Sequence, residues 1–153
     1  MAHEIERKFL VQSDEWRSLA EATRYRQGYL SSIKERVVRV RTIDDDGFLT
    51  IKGMNEGLTR LEFEYDIPVE DASSLLDLCE KPLIEKNRCK IEQDGLVWEV
   101  DEFFGDNAGL IVAEVELESE DQAFEKPSWV GEEVSGDPRY FNSNLIQNPF
   151  TTW

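Results

Sequence analysis

His3-Glu4-Ile5-Glu6-Arg7-Lys8-Phe9-Leu10-Val11 is the stretch whose reading decides the fold. In a strand, successive side chains point to opposite faces. Read that way, Glu4, Glu6 and Lys8 share one face, and Ile5 and Phe9 share the other. Two acids and a base on one face are not ordinary core. A solvated edge strand of mixed charge would read the same over so short a run, so the decision falls to the rest of the chain.

The same alternation recurs downstream. Residues 37–43 set Val38 and Val40 against Arg39 and Arg41. Residues 48–52 set Leu49 and Ile51 against Phe48, Thr50 and Lys52, and residues 59–65 set Leu61, Phe63 and Tyr65 against Arg60, Glu62 and Glu64. Residues 83–91 carry Lys86, Arg88 and Lys90 with one parity. Residues 96–103 set Trp98 and Val100 against Glu99 and Asp101, and residues 110–118 set Val115 and Leu117 against Glu114, Glu116 and Glu118. With 25–31, these make eight strand candidates. Asp44-Asp45-Asp46-Gly47, with Gly47 free to take positive φ, and Asp94-Gly95 read as turns. Helices are expected over 13–24 behind Ser13, over 70–80, over 120–126, and from 137 into 142–147.

Short sequential connections favour antiparallel pairing, and eight strands are enough to close a barrel. Nearly every strand has one apolar and one charged face. The economical arrangement turns the apolar faces outward, beneath helices, and the charged faces inward. The expectation is therefore an α+β fold, mainly β: an eight-stranded antiparallel closed barrel, a tunnel with a charged lumen and helices packed outside, in one domain spanning 1–153.

The totals agree with one core of this size: 153 residues, 40% hydrophobic. No run of about 18 apolar residues offers a membrane span, and no basic segment precedes an apolar one as in a secretory signal, so a cytoplasmic location is expected. Cys79 and Cys89 read as reduced packing residues. A net charge of −16 repels nucleic acid and anionic membranes. There is no G-x-x-x-x-G-K-[ST] loop, and His3 is the only histidine, so a P-loop, a His-rich zinc site and a Ser-His-Asp triad find no support.

A charged lumen must be hydrated or filled, because unpaired buried charge costs several kcal/mol per ion. The lumen acids would be Glu4, Glu6, Glu62, Glu64, Glu99, Asp101, Glu114, Glu116 and Glu118. The bases would be Lys8, Arg39, Arg41, Lys52, Lys86, Arg88 and Lys90. Carboxylates suit hard cations such as Mg²⁺ or Mn²⁺; guanidinium and ammonium groups suit phosphate. Together they describe a metal-bound polyphosphate. Mutual salt bridges in a purely structural sheet are the alternative.

Glu4-Ile5-Glu6-Arg7-Lys8 resembles the E-x-E-x-K signature of the CYTH superfamily, the triphosphate tunnel metalloenzymes. Arg39-Val40-Arg41, Thr50-Ile51-Lys52-Gly53, Glu62-Phe63-Glu64, Lys86-Asn87-Arg88 and Glu114-Val115-Glu116 resemble its later motifs in order, and residues 136–145 resemble the closing segment of short bacterial members. The resemblance implies a tunnel that binds a small-molecule triphosphate with one or two Mg²⁺ or Mn²⁺ ions. It implies metal ligation by Glu4, Glu6, Glu114 and Glu116, and phosphate binding by Lys8, Arg39, Arg41, Lys52, Lys86 and Arg88. Glu62, Glu64 and Glu118 would be additional ligands or partners of the bases, and Tyr29 would either sit near the mouth or serve as a plain packing tyrosine. The expected activity is a phosphoric anhydride hydrolase that splits inorganic tripolyphosphate into pyrophosphate and phosphate. Lys86 would position or activate the water, its pKa depressed by crowding from Arg88 and Lys90, beside Glu4 and Glu6 as catalytic acids of the metal site. A class IV adenylate cyclase, a thiamine triphosphatase and a non-enzymatic polyphosphate-binding module are the competing readings. A homodimer stays open.

Overall fold

Alternating strands over most of the chain leave one way to satisfy their backbone groups without exposed edges, which is to close the sheet. The computed structural model describes residues 3–153. Its strands are β1 (His3–Val11), β2 (Ala22–Ser31), β3 (Val37–Ile43), β4 (Asp46–Lys52), β5 (Thr59–Ile67), β6 (Ile84–Gln93), β7 (Leu96–Phe103), β8 (Ile111–Glu116) and β9 (Val130–Glu133), with one α-helix, α1 (Val69–Leu78). The first eight strands form an antiparallel ring in the order β5-β4-β3-β2-β6-β7-β8-β1, closed by β1 pairing back onto β5. The expected closed eight-stranded antiparallel barrel is what forms.

β1 is the closing strand. One edge pairs with β8 from Glu6↔Glu116 to Leu10↔Val112. The other is divided: His3, Glu4 and Ile5 face Leu61, Arg60 and Thr59 of β5, while Phe9 and Val11 face Glu133 and Val130 of β9. β9 was not expected from the sequence; four residues with a single β-branched apolar side chain carry little strand signal.

The outer face is apolar, as the parity requires. Phe9, Trp98, Val100, Ala113 and Val115 form a buried cluster covered by Trp16, Trp129 and Phe124. α1 lies across β2, β3 and β4 and buries Ala72 and Leu76 against Val40. Truncating a side chain buried like Leu76 costs about 2–5 kcal/mol. The close approach needs Gly47 and Gly28: a Cβ at Gly47 would stand 2.8 Å from the Ala72 Cβ, and one at Gly28 2.7 Å from Leu83 Cδ2. Gly47 therefore serves packing inside β4. The positive φ of the preceding turn falls on Asp44, at 51°.

The outer cover is thinner than the expected set of helices. The 13–24 segment forms only a 3-10 turn at Glu15–Ser18, because Ala22 onward is drawn into pairing with β6. Residues 120–126 are not helical; Phe124 instead packs edge-on against Phe9 and Trp98. Residues 138–145 form two short 3-10 turns. Leu61, Phe63 and Tyr65 on the outside of β5 consequently stay exposed.

The inner face changes character along the barrel axis. Its central residues are charged. At one end, however, the inward positions of Tyr29, Val37, Ile84, Phe103 and Val112 are apolar or aromatic, and the C-terminal segment closes over them with Tyr140, Leu145 and Ile146. The lumen is thus a charged chamber with an apolar, capped end.

Candidate active site

Because parity holds along each strand, the charged rows converge. β1 brings Glu4, Glu6 and Lys8; β3 brings Arg39, β4 Lys52, β5 Arg60, β6 Lys86 and Arg88, and β8 Glu114, all lining one cavity of about 90 Å³. At about 10–15 Å³ per water, that volume holds several water molecules. Ser135, Phe141, Asn142 and Ser143 of the C-terminal segment line it too.

Most of these charges are matched. Lys52 Nζ lies 3.3 Å from Glu4 Oε1, and Lys8 Nζ 3.5 Å from Glu114 Oε1. Arg39 and Arg41 each reach Glu64 Oε2 at 3.3 Å, and Thr50 Oγ1 donates to the same oxygen at 2.8 Å. Arg88 holds Asp101 with a two-pronged contact, Nε to Oδ1 at 2.7 Å and Nη2 to Oδ2 at 2.8 Å. Lys86 Nζ donates to the same carboxylate at 2.8 Å. The Arg41 and Arg88 guanidinium groups lie over the Tyr25 ring at 5.1 and 4.9 Å. Two donors stand out: Arg39 Nε and Arg41 Nε are buried without a partner among the described residues. A buried donor left unmade costs about 1–3 kcal/mol. Anions entering the chamber would offset it.

The acids divide into two kinds. Burial lifts the Glu4 carboxyl to about 7 against the pull of Lys52, with Glu62 and Glu114 adding to the rise. Glu6 is raised well above the ordinary range by burial and by the charges of Glu114 and Glu4. Burial pushes on Glu114 and Asp101 as well, but there the cations win. Lys8 and Arg88 hold Glu114 down to about 2, and Arg88 with Lys86 holds Asp101 far below the usual range. Among the bases, burial lowers Lys86 to about 7; Arg88 adds to the fall and Asp101 opposes it. Arg88, by contrast, is raised by its contact with Asp101 despite burial. The permanent pair is therefore Arg88–Asp101, with Lys86 sharing a carboxylate already engaged. Lys90, expected to crowd Lys86, has an exposed side chain and is not among the groups acting on it.

Several expected site residues sit apart from the chamber. Glu116 pairs across from Glu6 but is exposed, and Glu118 lies beyond the end of β8. Arg41, Glu62 and Glu64 are not among the lining residues; Glu62 approaches Lys52 at 3.8 Å, and Glu64 holds the two arginines. Tyr29 does line the cavity, but it is 3% exposed and does so from the capped end rather than the mouth. Arg60 was passed over, although it shares the parity of Glu62 and Glu64. Its Nε is anchored on the Gly53 carbonyl at 2.7 Å. The lining from 135 and 141–143 carried no periodic signal that could have exposed it.

The acids can be tested against a metal on their own geometry. Among the described residues, no three His, Cys, Asp or Glu side chains converge into a closed cage. Glu114 nevertheless raises the cost of charge on Glu4 and Glu6, and Glu4 that on Glu6, within one cavity, which a cation would relieve. Hard ions such as Mg²⁺ keep several waters and need only one or two carboxylates, with substrate phosphates completing the shell. The donor set fits that open kind of site.

A closed barrel lined by these facing rows of acids and bases is a triphosphate-tunnel architecture, and the chain belongs to the CYTH domain family, whose profile matches residues 2–146. It is 54% identical over 151 residues to an inorganic triphosphatase of Acetivibrio thermocellus, covering 98% of this chain and 97% of that one. It is 40% identical over 146 residues to an inorganic triphosphatase of Nitrosomonas europaea, covering 93% and 95%. Among solved structures, the crystal structure of an inorganic triphosphatase superposes with a TM-score of 0.68 at 37% identity, over 93% of this chain and 96% of the other.

Proposed function

We propose that this protein hydrolyses inorganic triphosphate to pyrophosphate and phosphate with a divalent cation, Mg²⁺ or Mn²⁺. The observation that carries the reading is one chamber in which Lys8, Arg39, Lys52, Lys86 and Arg88 face Glu4, Glu6 and Glu114, with buried guanidinium donors left unpartnered. Binding phosphate alone calls for bases; the acids opposite them call for a cation as well. The names of the similar proteins point to the same substrate.

The reaction adds water across a P–O–P anhydride. The water oxygen bonds to phosphorus, and the bridging oxygen leaves with the departing phosphate or pyrophosphate. Arg39 and Arg88 stabilise charge spread over the transferred group, each in a buried position where such contacts are worth most, and Arg41, which shares Glu64 with Arg39, supports them. Lys86, lowered to about 7, accepts the proton of the attacking water or holds that water in line. Glu4, Glu6 and Glu114 would hold the cation, with Glu116 at the edge. When bound, that ion neutralises phosphate charge and lowers the pKa of coordinated water. The capped apolar end, filled by the protein's own side chains, leaves no adenine or thiamine pocket there.

The deciding experiment is phosphate release from tripolyphosphate, ATP and thiamine triphosphate with Mg²⁺ or Mn²⁺, with cyclic AMP assayed in parallel. Tripolyphosphate should give the highest kcat/KM. A preference for ATP with cyclic AMP formed would overturn the reading in favour of a cyclase.

A further inference from the structure

Asn142 lies in the closing segment, where sequence reading assigns it no role of its own, yet its side chain lines the chamber. Its Oδ1 accepts from Lys86 Nζ at 3.0 Å. The same ammonium donates to Asp101 Oδ2 at 2.8 Å. A lysine nitrogen is tetrahedral, with one corner bonded to Cε. Two corners are thus committed to fixed acceptors on opposite partners, β7 and the C-terminal segment. One corner is left, and Lys86 lines the cavity.

The orientation of the Asn142 amide is itself held. Gln27 Nε2, wholly buried on β2, donates to Asn142 Oδ1 at 3.3 Å and to the Tyr29 hydroxyl at 3.0 Å. Its own Oε1 is buried and has no partner among the described residues. Turning the Gln27 amide over would pair that oxygen with Tyr29 but set it against Asn142 Oδ1. The orphaned oxygen marks which demand prevails: Lys86 needs an acceptor at Asn142, and Asn142 needs a donor at Gln27. Two residues back, Tyr140 offers its carbonyl to Lys8 Nζ at 3.0 Å, so the same segment is tied to two lysines of the chamber.

We infer that Asn142, braced by Gln27, is a positioning residue for Lys86: it takes up one N–H so that the remaining corner of the nitrogen points into the chamber. With Lys86 protonated, that corner is a hydrogen aimed at phosphate; with Lys86 neutral, it is the lone pair aimed at water. The inference rests on Lys86 acting in the proposed hydrolysis. The other groups facing Lys86 are Asp101 on β7, Arg88 on its own strand, Glu114 on β8, and the rings of Tyr25 and Phe103.

The test compares Asn142→Ala, Asn142→Asp and Lys86→Met, each checked for folding by thermal melt, in steady-state hydrolysis of tripolyphosphate across pH. Misplacement of a reacting group by about 1 Å costs about 100-fold. Asn142→Ala should lower kcat by about ten- to a hundredfold with a much smaller change in KM. Asn142→Asp keeps the acceptor and adds a charge. It should restore kcat at high pH while moving the limb governed by Lys86 upward by about one to three pH units. A merely structural Asn142 would give equal losses in both variants and no displaced limb, and that result overturns the inference. So does an Asn142→Ala kcat within twofold of wild type while Lys86→Met is inactive. If Lys86→Met itself keeps wild-type kcat, the reading of the site fails first. If Asn142→Ala does not fold, the Asn142→Asp limb decides alone.

Discussion

Lys86 is where the pH behaviour should be most informative. Its pKa is lowered to about 7, chiefly by burial, because the Asp101 charge is largely engaged by Arg88. If neutral Lys86 accepts the proton of water, kcat/KM rises with pH and levels off above about 7. One unit below, about a tenth of the molecules are competent, and two units below about a hundredth, so the acid limb has unit slope. If Lys86 acts only as a phosphate clamp, the protonated form is the useful one and the slope reverses, with activity falling above about 7. Tripolyphosphate and the metal titrate too, so each wild-type value is divided by that of Lys86→Met at the same pH, which cancels their contribution. The ratio should climb about a hundredfold between pH 5 and pH 8.5, where it reaches about 10²–10⁴, the usual span for general base catalysis. A ratio that is flat across this range, or one that falls, refutes the assignment of Lys86 as the base. Free-enzyme stability gives an independent check. Between about 7 and the ordinary lysine value of 10.5, the unfolded chain binds the proton that the folded chain has released. Stability from this group therefore grows with rising pH in that window, and Lys86→Met should remove that rise in a set of thermal melts.

Arg39→Ala and Arg41→Ala should each lower kcat/KM by about ten- to a hundredfold or more, from contacts worth about 1.5–3 kcal/mol, and lysine at either position should rescue only partly; unchanged kinetics would remove β3 from the phosphate site. EDTA should abolish turnover, with Mg²⁺ or Mn²⁺ restoring it, and Glu4→Gln or Glu6→Gln should keep the fold while nearly eliminating activity; full turnover in EDTA would refute the role of the acids. Asp101→Asn leaves Arg88 and Lys86 buried without their counter-charge, which costs about 3–5 kcal/mol and should appear as a large drop in Tm. Gly28→Ala, on the outer face of β2, should destabilise by about 1–3 kcal/mol through contact with Leu83 and Cys79 and leave kcat unchanged; a loss of kcat at constant Tm would contradict the separation of the outer packing from the site.

The barrel and most of its chamber were legible because strand parity is a local property. Arg39 and Arg41, or Lys86 and Arg88, share a face by spacing alone, whatever the rest of the chain does. The helices were less legible. Residues 13–24 carry the Trp16, Leu19 and Ala20 stripe of a helix, but pairing of Ala22 and Thr23 with Cys89 and Arg88 outweighs it, and such long-range pairing leaves no trace in a local window. Glu116 and Glu118 were misplaced relative to the chamber for a related reason: parity states which face a residue takes, not how far along the axis the strand runs. Phe141 and Asn142 fell within the segment 136–145 that resembles a family closing segment but were given no role, because an irregular segment reaches its site through tertiary packing and carries no period. The apolar end of the lumen, by contrast, was present in Val37, Ile84 and Phe103, whose parity matches that of the charged rows beside them.

The divided edge of β1 has a consequence for how the molecule assembles. β2 to β5 form one meander and β6 to β8 another, each built from contacts close in sequence. β1 is made first but joins both, through partners at residues 59–61, 111–116 and 130–133. Contacts of such separation carry the largest loop-closure entropy and slow a chain most. Glu4, Glu6 and Lys8 thus ride on the strand whose partners lie farthest away in sequence. Neither meander alone carries the E-x-E-x-K row, so Glu4 and Glu6 meet Glu114 only with ring closure, and a chain without β1 in place lacks two of the three acids that would hold the metal.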